Sequence, residues 1–220
     1  MKRTDIKVIA LDFDGTLVES NQIKDQAFAT IFSHWPEHKE TMMKWHLARN
    51  NVDRQEKMRY FVENILEQLD NIELINELSV KFSKLTLQTI VDCPMVQGAQ
   101  EFLDDCAGKV PLFLVSATPQ YELNKILKKR HMNEYFLEAH GAPINKVLIL
   151  KKIMADEKAS PNEMLYIGDS PEDKHAAMSL GIHFIGKQSD RNLNSTNHSF
   201  YNNFIKIKEQ FNQHYRLWND

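Results

Sequence analysis

Asp12 and Asp14 stand two positions apart at the end of an apolar run, "VIALDFDGTLVES" (Val8 to Ser20), and the chain turns on Gly15 directly after them. Burying two acids beside a core strand is costly unless something offsets their charge. Asp169 closes a second apolar run, "EMLYIGD". The three acids make an all-oxygen donor set of the kind that suits Mg2+, a hard cation. A carboxylate so placed can attack phosphorus to form an acyl phosphate. A second acid nearby can protonate the leaving group and later activate water. Gly15 permits tight backbone geometry, and Thr16 offers a hydroxyl and an amide. Ser116 can donate a hydrogen bond to phosphate, and Lys146 can neutralise its growing negative charge.

Each of these residues also has a plainer reading. Asp-Gly is a strong hairpin signal, but the strand before it is continuously apolar rather than alternating. An EF-hand fits poorly, because the later ligands and the terminal Glu of that loop are missing. In "GDSPEDKHAAMSLG", Ser170 reads as an N-cap, Pro171 as the first helical residue and Asp173 as a capping-box acid. "SPNE", Ser160 to Glu163, has the same spelling with no obvious site. Capping accounts less well for Asp169, which ends an apolar strand. Ser116 and Lys146 gain meaning only from their order relative to the acids.

These residues need elements to bring them together. Residues 6–13, "IKVIALDF", read as a parallel strand covered on both faces. From about Ile23 to Val91 helical periods dominate and strand signals are nearly absent. After "DCPMVQG" strand and helix alternate. A helix "AQEFLDDCAG" ends at Gly108, and "VPLFLVSA" is a strand. "PQYELNKILKKRH" is a helix with proline in its first turn, and "EYFLEAHGA" is a weaker strand. "NKVLILKKIMADEK", "EMLYIGD", "PEDKHAAMSLG" and "IHFIG" then run helix, strand, helix, strand. "KQSDRNLNSTNHS" reads as a loop, and a last amphipathic helix lies near 201–215. The pattern predicts an α/β, doubly wound, mostly parallel Rossmann-like sheet. An all-helical domain over 19–91 is inserted into a core made of 1–18 and 92–220. In such sheets ligands collect at the carboxyl ends of the strands, where Asp12, Asp14, Ser116 and Asp169 all fall.

The chain has 220 residues, 42% of them hydrophobic, enough for a sizeable core. A net charge of −3, with both signs mixed along the chain, argues against nucleic acid or membrane as partner. Cys93 and Cys106 fit neither a redox pair nor a zinc site, which suits a reducing, cytoplasmic setting. The basic start "MKRTDIK" precedes an apolar run too short for a signal peptide, and Asp12 and Asp14 interrupt it. No stretch is apolar enough to span a bilayer.

Taken in order, "DFDGT", "VSATP", "GAPINK" and "GDSPED" resemble the four motifs of the haloacid dehalogenase-like superfamily. The likeness runs from about Ile6 to Gly186. It is nearest to phosphoglycolate-phosphatase-like members, which carry a helical cap after the first strand. The resemblance implies a Mg2+-dependent phosphatase acting on a small phosphorylated metabolite through an aspartyl-phosphate. It implies that Asp12 is nucleophile and metal ligand. Asp14 becomes the general acid/base, with its backbone carbonyl on the metal. Gly15, Thr16, Ser116, Ala117 and Lys146 take phosphate-binding positions, and Asp169 that of a metal-binding acid. Ser170 and Asp173 would support the site from behind. True dehalogenases lack the second Asp of the first motif, so Asp14 favours phosphate chemistry. A sugar phosphomutase on the same core and a phosphate-binding regulator without turnover are the alternatives.

In the helical block, "RNNVDRQEKMRYF" resembles an "NGGxSRxEKF" pattern of some phosphatase-like caps. Asn50 and Asn51 stand for the two glycines and Asp53 for the serine; Asn tolerates left-handed backbone. Arg54 and Lys57 would then face an anionic or polar part of the substrate. The other reading is a solvated helix face with Glu56 and Arg59. His34, Trp45 and His46 read as packing or surface residues. Substrate identity and oligomeric state stay open.

Overall fold

The apolar run that opens the chain forms two strands rather than the single one expected over residues 6–13. β1 (Thr4–Ile6) and β2 (Val8–Leu11) are parted at Lys7. Its amide donates to the Glu163 carbonyl at 2.8 Å. Its ammonium pairs with the Glu163 carboxylate at 2.6 Å and lies 4.0 Å from the Trp218 ring centre. A charged side chain cannot follow the run into the sheet interior. The chain therefore bends there, and β1 pairs in parallel with β8 (Tyr215–Leu217). The structure, a computed structural model, describes residues 3–49, 52–189 and 200–218.

All four residues of β2 are buried, so the strand has to be covered on both faces. It lies inside a six-stranded parallel sheet. The order is β4 (Glu138–Ala142), β3 (Leu112–Pro119), β2, β5 (Met164–Gly168), β6 (His183–Lys187), β7 (Phe200–Tyr201). The chain winds outward from β2 to β3 and β4, then crosses back to β5 and β6. Right-handed crossovers thus set α5 (Ala99–Cys106) and α6 (Gln120–Lys129) on one face, and α7 (Lys146–Asp156) and α8 (Pro171–Leu180) on the other. Val8, Ala10, Val115 and Tyr166 pack with Ile149, Leu150 and Ile153 of α7 and Ala176 and Ala177 of α8. The doubly wound α/β class expected from the sequence is the one found. The winding direction reverses between β2 and β5, and the carboxyl ends of these two strands flank the crevice.

Several boundaries differ from expectation. Pro119 ends β3 and caps α6 instead of entering its first turn. The final helix is α9 (Phe204–His214), flanked by β7 and β8. Strands this short carry no readable periodicity. Of the expected loop over 187–199, residues 190–199 lie outside the described residues.

The chain divides into two compact units, Met1–Glu19 with Cys93–Asp220, and Ser20–Asp92. The second unit holds α1 (Asn21–Phe32), α2 (Pro36–Ala48), α3 (Arg54–Tyr60), a π-helical turn Phe61–Ile65 and α4 (Ile72–Asp92). It has its own apolar core, including Phe28, Phe32, Met42, Phe61 and Phe82. Asp53 caps α3 by accepting from the Glu56 amide at 3.0 Å. Asn50 and Asn51, where the sequence predicts a left-handed turn, lie outside the described residues.

Candidate active site

Asp12 follows β2 directly, and its amide still donates to the Ile167 carbonyl of β5 at 2.8 Å. Its carboxylate is buried. One oxygen accepts from Lys146 Nζ at 2.9 Å and the other from Thr16 Oγ1 at 3.2 Å. Gly15 takes a left-handed φ of 76° and donates its amide to Val18, closing the turn that returns Thr16 to Asp12. The Asp14 carboxylate accepts from Thr118 Oγ1 at 2.8 Å.

Thr118 is brought there by an irregularity in β3. Its ladder with β4 shifts register between Val115 and Pro119, so Ser116, Ala117 and Thr118 sit at the sheet edge. Ser116 is buried, and its Oγ accepts from the Thr118 amide at 3.0 Å. Ala117 is exposed. Thr118 was not singled out from the sequence. Its signal was there, a second hydroxyl two positions after Ser116.

Lys146 opens α7, where Asn145 caps the helix by accepting from Val147 N. Its ammonium is buried between two carboxylates, Asp12 at 2.9 Å and Asp173 at 2.6 Å. Asp173 is fully buried and saturated. It accepts from Lys146 and from the Tyr166 hydroxyl at 2.5 Å on one oxygen. The other takes the Ser170 amide at 3.1 Å and hydroxyl at 2.6 Å. Ser170 and Asp173 form a capping box for α8, and the same Asp173 accepts from Lys146. Gly168 makes room for this, since a Cβ there would come within 2.5 Å of the Asp173 side chain. Tyr166, two positions earlier on β5, was missed in the sequence because an aromatic in an apolar strand reads as core.

Burial pushes the Asp12 carboxyl well above the usual carboxylate range; Lys146 pulls it down, and Asp173 and Asp169 push it further up. Burial also works against charge on Lys146, but Asp12 and Asp173 outweigh it and hold the ammonium well above the usual lysine range. Burial opposes ionisation of Asp173 as well, yet Lys146, Ser170 and Tyr166 keep that carboxyl below its ordinary value.

Carboxylate oxygens of Asp12, Asp169 and Asp173 lie within 4.8 Å of one another, and Asp169 is buried. Asp12 and Asp169 come from the two strands that flank the sheet reversal. Asp173 is already held by four donors, which leaves Asp12 and Asp169 as the pair suited to a hard cation. This buried, all-oxygen pair fits Mg2+. The Asp14 side chain is not part of the cluster.

The haloacid dehalogenase-like hydrolase family matches residues 9–187, spanning this whole site. The chain belongs to that family. Solved structures of similar fold include three chains of low identity. One is a predicted phosphoglycolate phosphatase from Haemophilus somnus (17% identity, TM-score 0.71, 93% of this chain and 97% of that one). CbbY from Rhodobacter sphaeroides in complex with phosphate is another (14%, 0.71, 92% and 96%). The third is a HAD-superfamily hydrolase of subfamily IA from Geobacter sulfurreducens (18%, 0.64, 94% and 97%). A search of curated proteins gave no significant match.

Two further residues singled out in this haloacid dehalogenase-like chain, Arg54 and Lys57, lie on α3 of the helical unit. Arg54 donates to Ser83 Oγ at 3.0 Å and sits 5.2 Å from the Phe82 ring centre. Lys57 is 4% exposed, so it is no part of a solvated helix face. It contacts His46 Nδ1 at 2.9 Å, and His46 is itself a buried polar link rather than plain packing.

Proposed function

We propose that this chain is a Mg2+-dependent phosphatase that hydrolyses a small phosphorylated metabolite through a phosphoryl group carried by Asp12. One observation supports it above others. At the reversal of the sheet, the buried Asp12 carboxylate lies within 4.8 Å of a second buried acid, Asp169, and 2.9 Å from the Lys146 ammonium. Asp12, Asp169 and the Asp14 carbonyl would hold the ion, which would supply positive charge for the phosphate oxygens.

The chain's own groups then have these roles. Asp12 attacks phosphorus, and the bond from phosphorus to the ester oxygen breaks. The departing oxygen takes its proton from Asp14, which Thr118 orients. Asp14, now a carboxylate, takes a proton from water as that water attacks phosphorus. The bond to Asp12 breaks, and inorganic phosphate leaves. Lys146 would neutralise charge on the transferring group. Ser116 already accepts from Thr118, so its own hydroxyl proton is a donor for phosphate; Gly15, Thr16 and Ala117 would offer backbone amides. Asp173 and Ser170 keep Lys146 in place. The helical unit would act as a cap that selects substrate and excludes water, with Arg54 and Lys57 on the substrate's remote part. Among proteins of similar fold, a mutant of CbbY has been solved with xylulose-(1,5)bisphosphate, a sugar carrying two phosphates.

The test is turnover of p-nitrophenyl phosphate with Mg2+. Asp12→Asn should lower it by about a thousandfold or more with an unchanged circular dichroism spectrum, and a chelator should abolish it reversibly. Retained activity in Asp12→Asn would refute the nucleophile. Release of inorganic phosphate, rather than an isomerised sugar phosphate, separates hydrolysis from mutase chemistry.

A further inference from the structure

One side chain repairs an irregularity of the sheet close to the acids. The ladder of β3 with β4 pairs Val115 with His140 and next pairs Pro119 with Ala142. Ser116, Ala117 and Thr118 therefore stand opposite Gly141 alone, a bulge of the kind that re-aims side chains beside a site. Gln120, the first residue of α6, reaches back to β4. Its Oε1 accepts from the Gly141 amide at 2.6 Å, and its Nε2 donates to the Ala139 carbonyl at 2.9 Å. Donating to one residue and accepting from the next but one is how a residue of a parallel neighbour strand bonds. Nε2 also donates to Asn124 Oδ1 at 2.9 Å, so both N–H groups of the amide are used. Gly141 is buried against the bulge. A Cβ there would come within 2.5 Å of the Thr118 carbonyl oxygen and 2.8 Å of the Gln120 backbone.

The helix does not call for this. A glutamine that served only α6 would stop at Asn124, one turn on. Gln120 instead commits its carbonyl and one N–H to β4, opposite the residues that serve the site. Within the bulge, the Thr118 amide donates to Ser116 Oγ at 3.0 Å and the Thr118 hydroxyl to Asp14 at 2.8 Å. A shift of Gly141 would move the Thr118 backbone packed on it, and both hydroxyls with it. We infer that Gln120 is a positioning residue: bonded to Gly141 and Ala139, it holds the Ser116–Thr118 bulge in the shape that receives a phosphoryl group. The inference rests on the reading of Ser116 and Ala117 as phosphate-binding, and it adds a residue that acts through the bulge.

Inorganic phosphate is the probe, as a competitive inhibitor of p-nitrophenyl phosphate turnover with Mg2+ present. Gln120→Leu, which loses both bonds to β4, should raise the Ki for phosphate about tenfold. Asn124→Ala, which removes only the partner within α6, should leave Ki within about twofold of wild type. Gly141→Ala strikes the same contact from the other side. The double variant, Gln120→Leu with Gly141→Ala, should therefore weaken phosphate no more than the worse single change. Ki is independent of how much of a variant is folded. An unchanged Ki in Gln120→Leu, whether or not its urea midpoint falls, would overturn the proposal and leave Gln120 a structural tie. So would an Asn124→Ala as damaged as Gln120→Leu, or additive losses in the double variant. If wild-type protein turns nothing over, the phosphatase reading fails separately, and binding decides this one. The amide signals of Ser116 to Thr118 should then shift with phosphate and Mg2+, with a Kd about tenfold weaker in Gln120→Leu. No shift in wild type, or the same Kd in both, overturns it.

Discussion

Lys146 donates to Asp12 on one side and Asp173 on the other, and no other described lysine or arginine is recorded in an ion pair with either acid. Truncating it should therefore cost more than neutralising Asp12. Lys146→Met leaves two buried carboxylates facing each other without their cation. It should lower the unfolding free energy by about 3 kcal/mol, read from urea denaturation in the presence of chelator. Asp12→Asn has the opposite sign. A neutral amide removes the burial penalty and the repulsion from Asp169 and Asp173 that push this carboxyl upward. Stability should hold or rise by about 1 kcal/mol while turnover is lost, as is common where a site is built against stability. A variant at Asp12 several degrees less stable than wild type would mean that the carboxylate is chiefly a structural partner of Lys146.

At the scale of elements, Glu163 ties the break between β1 and β2 to the start of β5. It ends the 3-10 turn Pro161–Glu163 and accepts from the Ser160 amide at 2.9 Å and hydroxyl at 2.7 Å, while Lys7 pairs with its other oxygen. These donors, Lys7 first, hold the carboxyl down at about 2. An unfolded Glu titrates near about 4.3. The depressed value therefore adds stability that is complete above the unfolded pKa and is lost as pH falls through about 2. The side chain keeps 23% exposure, and solvent screening limits the effect to about 1 kcal/mol. Glu163→Gln should cost that much at pH 7 and flatten the decline of stability between about pH 5 and 2, measured as denaturation midpoints across a pH series. The same turn shows what the sequence could and could not disclose. Ser160 to Glu163 is legible as a cap, because capping is local, and Val8 to Leu11 is legible as a covered strand. The partner Lys7 is not legible, because it comes from the other end of the chain. Asp12 and Asp169 stand out as acids that end apolar runs. By contrast, Thr118, Tyr166 and the link from His46 to Lys57 depend on register and helix packing, which no local pattern encodes. β7 and β8 are too short to alternate.

At the scale of the whole molecule, the place where the helical unit leaves the α/β unit invites a deletion. Leu17 to Glu19 and Pro94 to Val96 run side by side. The Glu19 amide donates to the Pro94 carbonyl at 3.1 Å, the Val96 amide to the Leu17 carbonyl at 2.9 Å, and Val18 bridges Met95 in antiparallel sense. The two ends are thus held together by the α/β unit itself, at a spacing that a short Gly-Ser turn can close. Asp12, Asp14, Ser116, Lys146, Asp169 and Asp173 all lie in that unit, as do the strands and helices that place them. Replacing residues 20–92 by such a turn should leave a protein that unfolds in one cooperative urea transition. It should still hydrolyse p-nitrophenyl phosphate with Mg2+, and Asp12→Asn in the shortened chain should abolish that activity. A shortened chain that folds but hydrolyses nothing would place part of the chemistry in the helical unit. One with no cooperative transition would show that the sheet needs the helical unit to stand, although its buried β2 and the packing of α7 and α8 on one face argue that it does not.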